Sequence, residues 1–367
     1  MHYFICDIIM NLDQVNDLKK LDPSDVYNSI LNIPKQIKQT YENTKNLSFP
    51  EGYQDIDEVL VCGMGGSSLG AHFVSTLLRD SIKIPFTIIN GYELPGFVNK
   101  NTLVILSSNS GTTEEVISCL NLAKDKTDKI YAITTGGKLK EEVDKGDIQG
   151  YIFSQELNIA GQPRLAVSYT IISIMAVLKH LGLLDYKDSD IEDTIMYLEN
   201  KNTVYDIKVG ASGNLAKEYA YKIYEKLPII VGTEFTEGAA HTFANQINET
   251  SKNLSIYFVI PELNHHLLEG LVHPTIVHSD SIFIFINSEF YHKRNKSRID
   301  ITKQILNEKK IAYIEINLKA KNKIAQAFEM LQIGSFITLY LAILYKQDPC
   351  PIKTVDYFKE QLSKADQ

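Results

Sequence analysis

Short apolar runs that end in glycine, serine or threonine recur along this chain, and their spacing constrains the fold more than any other feature. EVLVCGM (58–64), FTIING (86–91), TLVILSS (102–108) and KIYAITT (129–135) are separated by helix-like or turn-rich stretches of the length that crossover connections need. That pattern predicts a parallel, doubly wound α/β sheet. IIVGT (229–233), IYFVI (256–260), SIFIFI (281–286) and AYIEIN (312–317) repeat it, with helices expected at 214–226, 239–248 and 297–308. Two similar lobes are therefore predicted. A length of 367 residues agrees, since one compact domain holds about 150. The expected division is a helical arm over 1–50, a first lobe over 51–200 and a second over 201–367. In the arm, Ser24–Lys45 has helical spacing interrupted by Pro34; an amphipathic helix is expected from Ala166 to Leu184, and the polar stretch Asp185–Asn202 reads as a linker.

Charge and composition exclude several classes of function. The formal net charge is −8 and no Lys/Arg run occurs, which argues against nucleic acid as a partner. Cys6, Cys62, Cys119 and Cys350 are scattered with no CxxC spacing, so reduced structural thiols in a cytoplasmic protein are expected. The opening MHYFICDIIM carries His2 and Asp7 and lacks a basic region, so it reads as a loose end or an added strand and not as a signal peptide. The longest apolar stretch, Met330–Tyr345, falls short of the ~20 residues a membrane span needs and contains Gln332, Gly334, Ser335 and Thr338. A buried helix is expected there, and no membrane partner.

Two strand-to-helix loops carry anion-binding chemistry. After the first strand the chain reads Cys62-Gly63-Met64-Gly65-Gly66-Ser67-Ser68-Leu69-Gly70. Glycines there let backbone N–H groups approach an anion at a helix N-terminus, or simply form a tight turn. A GxGxxG dinucleotide loop would need glycine where Ser68 stands, and a P-loop would need Lys-Ser/Thr where Ala71 and His72 stand. After the third strand comes Ser107-Ser108-Asn109-Ser110-Gly111-Thr112-Thr113-Glu114-Glu115. A capping box from Thr112 to Glu115 would use one hydroxyl. The others are in excess, and with the helix dipole they form a phosphate cradle that needs no cation.

With both loops in view, the chain resembles the sugar isomerase (SIS) domain proteins, doubly wound lobes that hold phosphosugars. Pro163-Arg164 before a long helix, Asn248-Glu249-Thr250-Ser251-Lys252, Glu262-Leu263-Asn264-His265 and Val355-Asp356-Tyr357-Phe358-Lys359 narrow the resemblance to the bifunctional phosphoglucose/phosphomannose isomerases. It runs from about Gly52 to Leu362 with the motifs in one order. The resemblance implies a cofactor-free aldose–ketose isomerase acting on a phosphorylated hexose, with phosphate held by Gly65, Gly66, Ser67, Ser108, Ser110 and Thr113. It assigns Glu249 the proton transfer between C1 and C2, Arg164 the charge of the cis-enediolate, and His265 with Lys359 the ring opening. It also implies a homodimer with a shared site, the ELNH histidine arriving from the partner subunit.

Taken alone, each of these residues has a plainer reading. Glu249 could be a surface glutamate paired with Lys252, Arg164 a surface arginine at a helix start, and Lys359 a solvated lysine. Adjacent His265 and His266 are an unusual pair for zinc, and no HExxH spacing appears. Asn109 and Thr112 stand where many relatives have tyrosine and asparagine, and Thr250 where asparagine is frequent; Ser108, Ser110 and Thr113 keep their hydroxyls. Pro349, Cys350, Pro351 and Thr354 occupy the region where some relatives place a threonine that admits mannose-type substrates. The rival function is a non-catalytic phosphosugar-binding regulator, which would need the two loops but not Glu249, Arg164, His265 and Lys359 together. The isomerase half of an amidotransferase ranks below it.

Overall fold

The structure, a computed structural model, describes residues 10–365; the reading of the opening segment falls on residues 1–9 and lies outside them. Three helices come first, α1 (Val15–Leu21), α2 (Val26–Leu31) and α3 (Ile33–Thr44), with Pro34 in the first turn of α3 where no N–H is needed. A first sheet follows, with β1 (Glu58–Gly63), α4 (Gly66–Leu77), β2 (Phe86–Ile89), β3 (Thr102–Ser107), α5 (Glu114–Lys124), β4 (Ile130–Thr134), α6 (Gly137–Asp144) and β5 (Gln149–Ile152). All its strands are parallel, in the order β2-β1-β3-β4-β5. Val59 and Val61 of β1 face the main core while Leu60 and Cys62 face a second cluster under α5 and α6. A strand covered on both faces reads as an unbroken apolar run, which is why these strands were visible in the sequence.

Between the sheets lie α7 (Val167–His180), α8 (Asp188–Tyr205) and α9 (Leu215–Ile223). The second sheet comprises β6 (Leu227–Thr233), β7 (Ile256–Ile260), β8 (Ser281–Asn287) and β9 (Ala312–Asn317), parallel in the order β7-β6-β8-β9. Its helices are α10 (Glu237–Gln246), the short α11 (Leu267–Gly270) and α12 (Ile276–Asp280), α13 (Lys293–Glu308), α14 (Lys323–Leu344) and α15 (Lys353–Ala365). Numbered within each lobe, the first four strands of both sheets follow the order 2-1-3-4. Parallel α/β topology was expected for both lobes and is found.

Three expectations need correction. The polar stretch read as a linker is α8, whose buried Ile191, Thr194, Leu198 and Tyr205 make a stripe too narrow to stand out against its charged face. The helix expected to be amphipathic, α7, is buried on every side from Val167 to Leu178 because it lies between α3 and α4. The N-terminal helices do not stand apart as an arm: α3 packs on α7 and α8, and α2 on α14.

The buried helix expected over 330–345 begins earlier, and α14 spans 22 residues. It is the one helix among the described residues long and apolar enough to cross a bilayer, and it is wholly buried inside the protein. Uniform apolarity here is that of a central core helix. α10 joins the lobes by packing on both α4 and α14, and a Cβ on Gly238 would lie 2.5 Å from the His72 carbonyl oxygen of α4.

Candidate active site

β1 is flanked by β2 on one side and β3 on the other, so the strand order reverses direction between β1 and β3. In open parallel sheets such a switch point opens a crevice at the carboxyl ends of the strands. The two hydroxyl loops meet there. Ser107 Oγ donates to the Ser67 carbonyl at 2.7 Å, and Ser67 Oγ accepts from the Asn109 backbone N–H at 3.0 Å. Ser108 and Thr113 hydroxyls lie 2.8 Å apart, and Ser108 Oγ also accepts from the Gly111 N–H at 3.0 Å. Ser110 Oγ, on the exposed rim, accepts from the Thr112 hydroxyl at 3.1 Å. Thr113, not Thr112, stands at the N-cap of α5, and no side chain caps that helix. The capping reading therefore fails, and the free N–H groups of α5 and the hydroxyls converge on one polar cradle.

Gly65, at φ +49°, turns the chain into α4, and a Cβ on Gly66 would lie 2.8 Å from the Arg164 backbone nitrogen. The cradle and the arginine are thus in backbone contact. Arg164 sits in a 3₁₀ turn, Pro163–Leu165, ahead of α7, and is fully buried. Its five N–H groups are all engaged. Nε donates to Thr250 Oγ1 at 2.9 Å, Nη1 to Gln162 Oε1 at 2.8 Å and Glu249 Oε2 at 3.4 Å, and Nη2 to the Pro349 and Cys350 carbonyls at 2.8 Å each. Burial pushes its pKa down and the Glu249 carboxylate opposes this. A guanidinium in such a cage stays charged and cannot rotate.

Glu249 does not lie in an open turn. α10 widens into a π turn, Ile247–Ser251, and π segments within helices mark functional sites because they turn side chains out of helical register. The Glu249 side chain is 27% exposed and paired with Arg164, not with Lys252. Burial raises its pKa above the ordinary glutamate range against the pull of Arg164, Lys359 and Lys252. A half-buried carboxylate tuned upward and facing a fixed cation suits proton transfer beside developing negative charge.

Lys359 is exposed on α15, within electrostatic range of Glu249. His265 is not brought to the site. It is exposed in the turn after the carboxyl end of β7, whereas Glu249 precedes the amino end of that strand. The five extended residues of β7, at ~3.3 Å each, put roughly 16 Å between the two ends of that strand. Among the described residues, no three His, Cys, Asp or Glu side chains are grouped to hold a metal ion.

The repeat of topology does not repeat the cradle. In the second lobe Glu234, at φ +51°, follows β6 as Gly65 follows β1. Its carboxylate accepts from the His292 N–H at 2.8 Å and Asn295 Nδ2 at 2.7 Å at the start of α13, and so repels an anion there. Sequence alone singled out Thr250, Pro349 and Cys350 but not their role as acceptors for Arg164, and left out Gln162 although it stands beside Pro163-Arg164.

One prediction follows directly from the cradle. Ser108→Ala with Thr113→Ala should raise KM for a hexose phosphate about 10- to 100-fold with little change in kcat, because each lost hydrogen bond to a charged group weakens ground and transition states alike. Steady-state kinetics check this, and an unchanged KM would remove the phosphate from this loop.

Two parallel-sheet lobes with a hydroxyl cradle at one switch point define a sugar isomerase (SIS) domain protein. A hypothetical protein of Thermus thermophilus shares the fold at a TM-score of 0.71 and 14% identity, over 95% of this chain and 94% of that one. Residues 212–362 match the family described as the bacterial phospho-glucose isomerase C-terminal SIS domain. The bifunctional phosphoglucose/phosphomannose isomerase of Caldicellulosiruptor bescii is 36% identical over 92% of this chain and 99% of its own length. The protein of that name from Aquifex aeolicus is 30% identical over 83% of this chain and 90% of its own length. The chain belongs to the bifunctional phosphoglucose/phosphomannose isomerase family.

Proposed function

We propose that this chain is a metal-independent aldose–ketose isomerase that interconverts fructose 6-phosphate with glucose 6-phosphate and with mannose 6-phosphate. The observation that carries the reading is the Glu249–Arg164 pair, a base with raised pKa 3.4 Å from an immobile guanidinium, joined through Gly66 to the phosphate cradle. With the phosphate in the cradle, Glu249 takes the proton from C2 of the aldose and returns it to C1 of the ketose. The intervening cis-enediolate carries its charge on oxygen, and Arg164 stabilises it by preorganised hydrogen bonding. Four of the five Arg164 N–H groups are held by Thr250, Gln162, Pro349 and Cys350. The N–H on Nη1 that meets Glu249 makes the longest of these bonds, 3.4 Å, and is the one left to face substrate. A phosphosugar regulator needs no such pair.

Ring opening requires a proton donor and acceptor at O5 and O1. Histidine is suited to this near neutral pH, with Lys359 assisting from α15. The placement of His265 and Glu249 at opposite ends of β7 within one chain supports a homodimer in which the histidine comes from the partner subunit. α15 supports it too: no residue of this helix is buried, and Val355, Tyr357 and Phe358 are 42%, 63% and 61% exposed. An apolar helix face of that kind calls for a covering surface.

A coupled assay on fructose 6-phosphate with a chelator present tests the activity. Glucose 6-phosphate and mannose 6-phosphate should both form. A protein that binds the sugar phosphate and turns over neither product is a regulator. Mixing Glu249→Gln with His265→Ala subunits should recover activity that neither variant has alone; no recovery would mean that each subunit is self-sufficient.

A further inference from the structure

We propose that Lys252 is a positioning residue of the isomerase reaction, pinning the carbonyl that anchors Arg164 and holding positive charge beside Glu249. The role rests on the isomerase reading above. Although Lys252 is exposed as a residue, its ammonium turns back into the structure. Nζ donates to the Thr250 carbonyl and to the Pro349 carbonyl, each at 3.1 Å. The Pro349 oxygen is the same atom that accepts from Arg164 Nη2 at 2.8 Å. One carbonyl therefore ties the π turn that carries Glu249 to the strap 345–352 between α14 and α15 and to the guanidinium. Without the ammonium the Pro349 carbonyl keeps Arg164 Nη2 as its one donor, and the guanidinium loses the support that sets its alignment toward substrate.

The backbone carries the same signature. Lys252 ends the π turn at φ +55°, with its N–H bonded to the Ile247 carbonyl. Left-handed backbone is unfavourable for lysine and open to glycine, so the side chain's contacts here work against local backbone preference. Four groups face the ammonium from the surrounding elements. Desolvation and the Arg164 charge lower its pKa to about 8, while Asp348, Cys350 and Glu249 pull the other way. As pH rises through 8 the ammonium loses its proton: the charge beside Glu249 is lost, and the neutral amine that remains donates more weakly to the Pro349 carbonyl.

Lys252→Gly and Lys252→Arg test this in the fructose 6-phosphate assay across pH 6 to 10, with melting temperatures measured alongside. The glycine variant should melt no lower than wild type, since glycine suits the backbone, and keep its KM. Its kcat should fall about 10- to 100-fold, as displacement of a supporting group does, and the alkaline fall in rate near pH 8 should vanish. Arginine stays charged through this range, so Lys252→Arg should recover most of kcat with the alkaline fall moved to higher pH. The proposal is overturned if Lys252→Gly keeps the wild-type kcat or its alkaline limb, or if arginine is no better than glycine. A wild type that turns over neither product overturns the isomerase reading and this role with it; an active wild type matched by Lys252→Gly overturns this role alone.

Discussion

Glu249→Gln is expected to lower kcat on fructose 6-phosphate by about 10⁴-fold, the upper range for losing a general base, with KM changed little. Glutamine keeps the shape and can still meet Arg164, so the loss isolates the proton-accepting oxygen. The partner bond is long, 3.4 Å, and the side chain is 27% exposed, so stability should barely move. Because burial raises the Glu249 pKa, the acid limb of kcat/KM in the wild type should lie above the ordinary glutamate range: below that pH the base is already protonated and cannot accept. Any residual activity of the variant should lack this limb. Exchange of the substrate C2 proton with solvent gives a second readout, and a variant that still exchanges it at the wild-type rate would remove Glu249 from the reaction.

Replacing Arg164 should cost both activity and stability, by different amounts for different substitutes. Arg164→Met leaves the Cys350 carbonyl, the Gln162 amide and the Thr250 hydroxyl without their donor in a buried place, and the Pro349 carbonyl with Lys252 alone. Unsatisfied buried acceptors and a carboxylate without its counter-charge together cost about 3 kcal/mol of folding stability, measured by urea unfolding. Loss of the electrostatic stabiliser should lower kcat about 10²- to 10³-fold. Arg164→Lys separates the effects. It restores charge but has three donors where five are used, so part of the stability should return while kcat stays about 10²-fold down. Full activity in the lysine variant would mean that charge alone, and not the fixed guanidinium, serves the reaction.

β1, β3, β4, β6 and β8 were legible because burial on both faces leaves an unbroken apolar run. β5 was not, since QGYI is a short edge strand with a glycine inside it. α8 was mistaken for a linker because only a thin stripe of it is buried. In the cradle, hydroxyls and glycines cluster at strand ends, which is a local signal. The cage around Arg164 has no such signal: its acceptors are drawn from the chain 2, 86, 185 and 186 positions away.

Residue order by itself determined the two parallel α/β lobes, the hydroxyl- and glycine-rich loops after β1 and β3, and through its motifs the family. Each depends on neighbours in sequence, through strand burial, turn chemistry and helix N-termini. Tertiary structure alone decided that Arg164 is buried with every donor engaged, and that Glu249 stands in a π turn against it. It also decided that Lys252 bonds the Pro349 carbonyl in place of the carboxylate, that Glu234 occupies the turn after β6, and that His265 lies beyond the carboxyl end of β7. Those facts belong to how α4, α7, α10 and the strap after α14 pack together. The electrostatics of a buried charge follow from what surrounds it in space, and sequence spacing does not carry that information.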